Sequence, residues 1–158
     1  KRAFSLENRF NVACLFNFGY ELYCSGFTEE ELKSTAKLSD FYKKRRDFIQ
    51  YGEFYRLGDP NTVCGFQVLS ARKDRALASV IMPKRENGVS NRKIAFKGLC
   101  PEERYKATVY DKNLCVSDEF TASGEVFRYG IPIEKYRLSE EICSDADFRS
   151  FLIEFNRV

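Results

Sequence analysis

Any chemistry in this chain has to come from carboxylates, because the residues that serve most other mechanisms are absent or wrongly spaced. Histidine is missing altogether, so neither a Ser–His–Asp triad nor a Cys–His pair can be built. The cysteines are Cys14, Cys24, Cys64, Cys100, Cys115 and Cys143. They contain no C-x-x-C step and lack the spacings that hold zinc, so they are expected to be free, partly buried thiols. No glycine-rich phosphate loop is present, and no metal or cofactor is expected. Among the carboxylates, Asp40 and Asp47 stand seven residues apart, a spacing that places both on one face of a helix. On the outside of a helix such a pair is surface charge rather than an acid and a base. Glu21 lies at the end of a short apolar run, and its meaning depends on what that run becomes.

The whole chain narrows the options further. It has 158 residues, with 26 Lys and Arg against 23 Asp and Glu, a formal charge of +3. The two signs are interspersed, which gives neither nucleic acid nor a membrane surface a patch to bind. Fifteen Phe and nine Tyr supply ample core material, and Trp is absent, which disfavours a dedicated sugar-binding module. No apolar run is long enough to cross a bilayer. The sequence shows no signal peptide, but the first residue is Lys1, not methionine, so that absence says little. Localisation is open on this evidence, with the cytoplasm as the working expectation.

Three stretches of different texture must position these residues. Up to about Ser25, the run containing Leu15, Phe16, Phe18, Tyr20 and Leu22 reads as a strand buried on both faces. From about Thr28 to Tyr51 the pattern is helical. Thr28 is a candidate N-cap with Glu31 as its capping-box partner, and Phe27 and Leu32 occupy the staple positions. Glu29, Glu30 and Glu31 place negative charge in the first turn. Leu38, Phe41, Tyr42, Arg45, Phe48 and Ile49 recur at helical spacing, and Gly52 is the expected stop. The basic run Lys43–Arg46 falls near the helix C-terminus, where it complements the dipole. From about Phe54 onward, short stretches such as VCGFQVLS, RALASVIM, RKIAFKGL, RYKATVYD, VFRYGIPI and FRSFLIEF alternate with turn residues, the pattern of an antiparallel sandwich. Strand, capped helix and β module, in that order, fit the last βα unit of a (β/α)8 barrel followed by an all-β C-terminal sandwich. The expected division is residues 1–52 for the end of the barrel and 53–158 for the sandwich.

The residues also resemble a known family. Phe18-Gly19-Tyr20-Glu21-Leu22, followed by the Thr28–Glu31 helix start, is similar to the end of the catalytic barrel in glycoside hydrolase family thirty-six, the melibiase-type α-galactosidases. The stretch from Tyr42 to Pro60 carries more of the likeness, through Tyr42, Lys43, Arg46, Ile49, Gln50, Gly52, Phe54, Tyr55, Arg56, Leu57 and Pro60. Lys97-Gly98-Leu99 with Pro101 and Tyr105 resembles a turn of the family's sandwich. Asp147, Phe148, Ser150 and Leu152 resemble its closing strand. The chain departs from the family where Tyr23 and Cys24 follow Leu22.

The resemblance implies that the parent protein is a retaining hydrolase releasing terminal α-galactosyl groups from oligosaccharides, by way of a nucleophilic and an acid/base aspartate. Both belong to earlier barrel strands, so no catalytic residue is expected in this chain. It also implies a homo-oligomeric parent. Glu21 is then the one residue near the pocket, because barrel sites lie at the C-terminal ends of strands; an ion pair in the barrel wall is the preferred reading. Phe54, Tyr55 and Arg56 are expected to pack a domain interface rather than stack on sugar. Tyr105, Tyr110, Phe127, Tyr129 and Tyr136 are expected to fill or cap the sandwich core.

Overall fold

The computed structural model describes residues 5–20, 24–82, 92–111, 113–133 and 149–158. Its centre is a six-stranded antiparallel sheet made of β1 (Glu53–Asp59), β2 (Val63–Leu69), β3 (Arg75–Met82), β5 (Arg104–Tyr110), β6 (Val116–Ser123) and β8 (Arg149–Arg157). Their order across the sheet is β1-β2-β3-β8-β5-β6. β4 (Lys93–Ile94) and β7 (Ile131–Pro132) form a separate antiparallel pair. Helices α1 (Leu6–Ala13), α2 (Glu29–Lys43) and α3 (Arg46–Tyr51) precede the strands, and α4 (Gly124–Tyr129) lies between β6 and β7. A single 3-10 turn, Cys24–Gly26, leads toward α2.

Both faces of the sheet are covered, and the period-2 alternation of the central strands assigns each side chain to one face. In β3, Ala76, Ala78, Val80 and Met82 face one core while Leu77 faces the other. In β8, Phe151, Ile153 and Phe155 alternate in the same way with Leu152. The first core is closed by Ile94, Phe96, Leu99, Phe127, Ile131 and Ile133. There Phe155 packs edge-on against Phe96 and Phe127, with centroids 4.7 and 4.9 Å away. The second core is closed by the helices, through Phe10, Leu38, Phe41, Tyr42, Phe48 and Ile49 over Val68, Leu77 and Leu152.

The capped helix forms as its sequence dictates. Thr28 Oγ1 accepts the N–H of Glu31 at 3.2 Å, and Glu31 Oε2 accepts the N–H of Thr28 at 2.9 Å. One helix was expected to run from Thr28 to Tyr51, but it breaks at Arg45, which has φ −125°. The physical reason is the partner that Arg45 reaches in the sheet, described below.

Two further expectations need correction. The described part of the run expected to be a strand is not one: α1 occupies 6–13, residues 14–20 are irregular, and no described residue before Glu53 lies in a strand. Its apolar side chains Phe10, Cys14, Leu15 and Phe18 instead join the helix-side core. Gly52 does end α3, but with φ −84°, an extended conformation open to any residue. What requires glycine there is space, since a Cβ would sit 2.5 Å from the carbonyl oxygens of Leu69 and Phe48.

Helix α3 ends at Tyr51 and β1 begins at Glu53. The helices nevertheless share a core with the sheet. VFRYGIPI, read as a strand, is the helix α4, a Gly130 turn with φ +97°, and β7. Tyr105 is fully buried: its hydroxyl donates to the Lys73 carbonyl at 2.8 Å and accepts the Cys100 N–H at 3.1 Å. Phe127 is likewise buried, whereas Tyr129 is 78% exposed and fills no core. Tyr136 lies outside the described residues. Cys14, Cys64, Cys100 and Cys115 are free thiols; Cys143 and the side chain of Cys24 are not described.

Candidate functional site

The most highly organised polar group in the structure lies between the helices and the sheet. Arg45 projects from the break between α2 and α3 and is met by Glu154 from β8. Arg45 Nη2 donates to Glu154 Oε2 at 2.6 Å and to the Tyr110 hydroxyl at 3.1 Å, while the Tyr110 hydroxyl donates to the same Oε2 at 2.8 Å. Arg45 Nη1 donates to the Phe41 carbonyl at 3.1 Å, and the guanidinium stacks 3.6 Å above the Phe41 ring centroid. Arg75 Nη2 approaches Glu154 Oε1 at 3.6 Å. The side chains of Arg45 and Glu154 are 13% and 6% exposed.

A carboxylate placed among apolar residues on the central strand needs such partners, since an unpaired buried charge is costly. Burial, and after it the neighbouring Glu154 carboxylate, push the Tyr110 phenol up to about 12. Tyr110 therefore remains a proton donor across the physiological range. The cluster holds one carboxylate, whereas glycoside hydrolysis takes two flanking the scissile bond. Its chemistry is that of a structural clamp joining α2, α3, β5 and β8.

A second polar tie fixes α1. Asn11 Nδ2 donates to the Ser150 carbonyl at 3.3 Å and to its hydroxyl oxygen at 3.1 Å, and the Ser150 hydroxyl donates to Asn8 Oδ1 at 2.6 Å. All three residues are buried. They seat the first helix on the strand that carries Glu154.

Those of the residues singled out from sequence that are described do not come together. Glu21 lies outside the described residues. Asp40 and Asp47 are both exposed and stand on different helices, so they share no face as expected of one continuous helix. Asp47 approaches Arg75 at 3.9 Å. Phe54 stacks on Phe66 with centroids 5.7 Å apart and also meets Phe16 at 5.3 Å. It thus joins the N-terminal segment to the sheet while remaining partly open to solvent. The Tyr55 hydroxyl hydrogen-bonds the Glu53 carboxylate. Among the described residues no group of His, Cys, Asp or Glu could hold a metal ion.

The Lys97–Tyr105 turn is built with care. The side-chain amide of Gln67 pairs with the backbone of Lys97, donating Nε2–H to its carbonyl at 2.6 Å and accepting its N–H at 2.9 Å. Gly98, at φ +74°, lies where a Cβ would strike Leu69 and Tyr55.

Arg45 and Glu154 were legible in principle. Arg45 falls on the apolar stripe of the helix, and Glu154 interrupts the apolar run of FRSFLIEF. A charge on each of two buried faces is the signal that they meet.

No family model matches the chain. Over 107 residues it is 33% identical to the α-galactosidase AgaA of Geobacillus stearothermophilus, a match covering 66% of this chain and 15% of that protein. Over 127 residues it is 30% identical to the α-galactosidase Mel36A of Lactobacillus acidophilus, covering 78% of this chain and 16% of the relative. The crystal structure of the GH36 α-galactosidase AgaA superposes with a TM-score of 0.80 at 27% identity, over 99% of this chain and 20% of that one. Variants of the same enzyme have been solved with raffinose and with stachyose. The chain thus spans about a sixth of the curated relatives it matches and a fifth of the solved enzyme. Along nearly its whole length it is similar to part of a GH36 α-galactosidase, as its resemblance in sequence implies.

Proposed function

We propose that this chain is the C-terminal part of a retaining α-galactosidase of family GH36, and that within it the chain has a structural role. The observation that carries this reading is the superposition over 99% of the chain at a TM-score of 0.80 on an enzyme five times its size. In this reading the two catalytic aspartates lie in the part of the enzyme that the chain does not span. The parent cleaves terminal α-galactosyl groups from oligosaccharides, a substrate class supported by the raffinose and stachyose complexes of the relative. It does so by double displacement between two carboxylates.

Residues 1–52 correspond to the end of the barrel, represented among the described residues by helices alone, and residues 53–158 to a C-terminal sandwich whose described layers are the six-stranded sheet and the β4–β7 pair with α4. The shared helix-side core, clamped by Arg45 and Glu154, holds the two parts in one orientation. The parent assembles as a homo-oligomer.

The test is hydrolysis of a nitrophenyl α-galactoside by the full-length protein, with this chain assayed beside it. Activity in the first and none in the second is the expected result. A folded but inactive full-length protein would remove the enzymatic reading; activity in this chain alone would mean that it holds the catalytic carboxylates after all.

A further inference from the structure

We propose that Lys37 and Cys115 form an oxidation-triggered cross-link, in which a hydroperoxide oxidises the thiol and the lysine amine then bonds to its sulfur. The two residues meet where the tip of the β5–β6 hairpin reaches α2. Lys37 Nζ donates to Cys115 Sγ at 3.8 Å, across 78 residues of sequence. A nucleophilic amine is thus held beside the one atom that oxidation converts into an electrophile.

The hairpin fixes the position of the thiol. Asp111 Oδ1 accepts the N–H groups of Asn113 and Cys115 at 2.9 and 2.7 Å, and the Asp111 N–H donates to the Cys115 carbonyl at 2.9 Å. Leu114 adopts φ +57°, a left-handed conformation that is uncommon outside glycine. Its side chain packs against the helix-side core, which pins the hairpin tip to the helices. Lys37 is the adjustable partner, since its four-carbon stem is flexible and can close the remaining distance with the backbone in place.

The oxidant has a route to the sulfur. A groove of about 250 Å³ is lined in part by Lys33, Lys37 and Asn113. The Cys115 sulfur touches two of these residues, at the Lys37 amine and, 3.9 Å away, at the Asn113 carbonyl. Cys115 is exposed, whereas Cys14 is buried and Cys64 and Cys100 are half-buried. Burial also pushes the Cys14 and Cys64 thiols up, and a thiol held protonated is a poor nucleophile toward peroxide.

The reaction balances in two steps. In the first, the Cys115 thiol gives two electrons to hydrogen peroxide: an S–O bond forms, the O–O bond breaks, water leaves, and a sulfenic acid remains. In the second, the Lys37 nitrogen, having released a proton to solvent, attacks the sulfur. An S–N bond forms, the S–O bond breaks, and a second water leaves. The resulting sulfenamide ties α2 to the β5–β6 hairpin. Two equivalents of an added thiol reverse it, leaving as their own disulfide and restoring amine and thiol.

The test uses the 158-residue chain, treated with hydrogen peroxide and mapped by tryptic mass spectrometry without reduction. The expected product is a pair of peptides joined through Lys37 and Cys115. It should be lighter than their sum by a pair of hydrogen atoms, uncut after Lys37, and released by dithiothreitol. Cys115→Ser and Lys37→Arg should each abolish it, the second with the positive charge retained, while Lys33→Arg should leave its yield unchanged. In concentrated urea the yield should fall by about tenfold or more, because the folded hairpin supplies the proximity. Cys115 left unmodified, any product that retains oxygen on its sulfur, a link to Lys33 in equal yield, or an undiminished yield in urea would each overturn the proposal.

Discussion

The Arg45–Glu154 pair carries the strongest single-residue expectation. Removing one partner of a buried ion pair leaves the other uncompensated, whereas replacing both by apolar groups is often tolerated. Arg45→Met should therefore cost about 3 kcal/mol, measured by urea unfolding. The double variant Arg45→Met/Glu154→Leu should recover most of that loss, and a double loss equal to the sum of the single losses would show that the two residues do not interact. Tyr110 adds a pH dependence. Its folded pKa of about 12 is above its unfolded value, so the folded state holds the proton more tightly. That contribution is intact below about pH 10 and is lost as pH rises toward 12. Stability should fall over this window, and Tyr110→Phe should flatten the fall; an identical profile in the variant would rule out this origin. The pair also marks how far sequence reading reached. Arg45 was placed on the apolar stripe, but its partner lies 109 residues away. No local pattern fixes which strand a buried charge will meet.

At the scale of elements, legibility followed burial. β2, β3, β5 and β8 were readable because their interior side chains repeat with the period of a strand. β1 and β6 are the two edges of the sheet, and their largely exposed residues give no apolar alternation to read. The described part of the apolar run, residues 15–20, was misjudged for a different reason: a short apolar segment reads the same whether it lines a strand or fills the space beneath helices. The cap of α2 was legible because its signal is local. Thr28→Ala should lower stability by about 1 kcal/mol, visible as a lower urea midpoint. Gly52 works differently. A methyl group there strikes backbone oxygen atoms that cannot rotate away, so Gly52→Ala should cost at least about 2 kcal/mol despite an ordinary φ. A neutral result would show that α3 can lift off β2 without penalty.

For the whole molecule, the two cores share one sheet, which makes them mechanically dependent. Phe10 lies in the helix-side core and Phe155 in the opposite one, both almost fully buried. Phe10→Ala and Phe155→Ala should each cost about 3–5 kcal/mol. In both variants helical and aromatic circular dichroism should be lost at one midpoint. Separate midpoints would instead mark residues 1–52 and 53–158 as units that unfold independently. The candidate catalytic site was not legible at this scale for a simple reason. The likeness of this chain to α-galactosidases covers a fifth of the solved enzyme, and the catalytic pair of the proposed mechanism is assigned to the remainder.

The order of the sheet also bears on biosynthesis. β8 emerges from the ribosome after the other five strands of its sheet, yet it is inserted between β3 and β5. Until it arrives, the β1-β2-β3 and β5-β6 meanders are two half-sheets, each exposing an apolar inner edge of the kind that invites pairing with other chains. A nascent chain stalled before Arg149 would be the species most in need of a chaperone. The nine-residue β8 would act as a zipper, joining the halves and delivering Glu154 to an arginine already waiting for it.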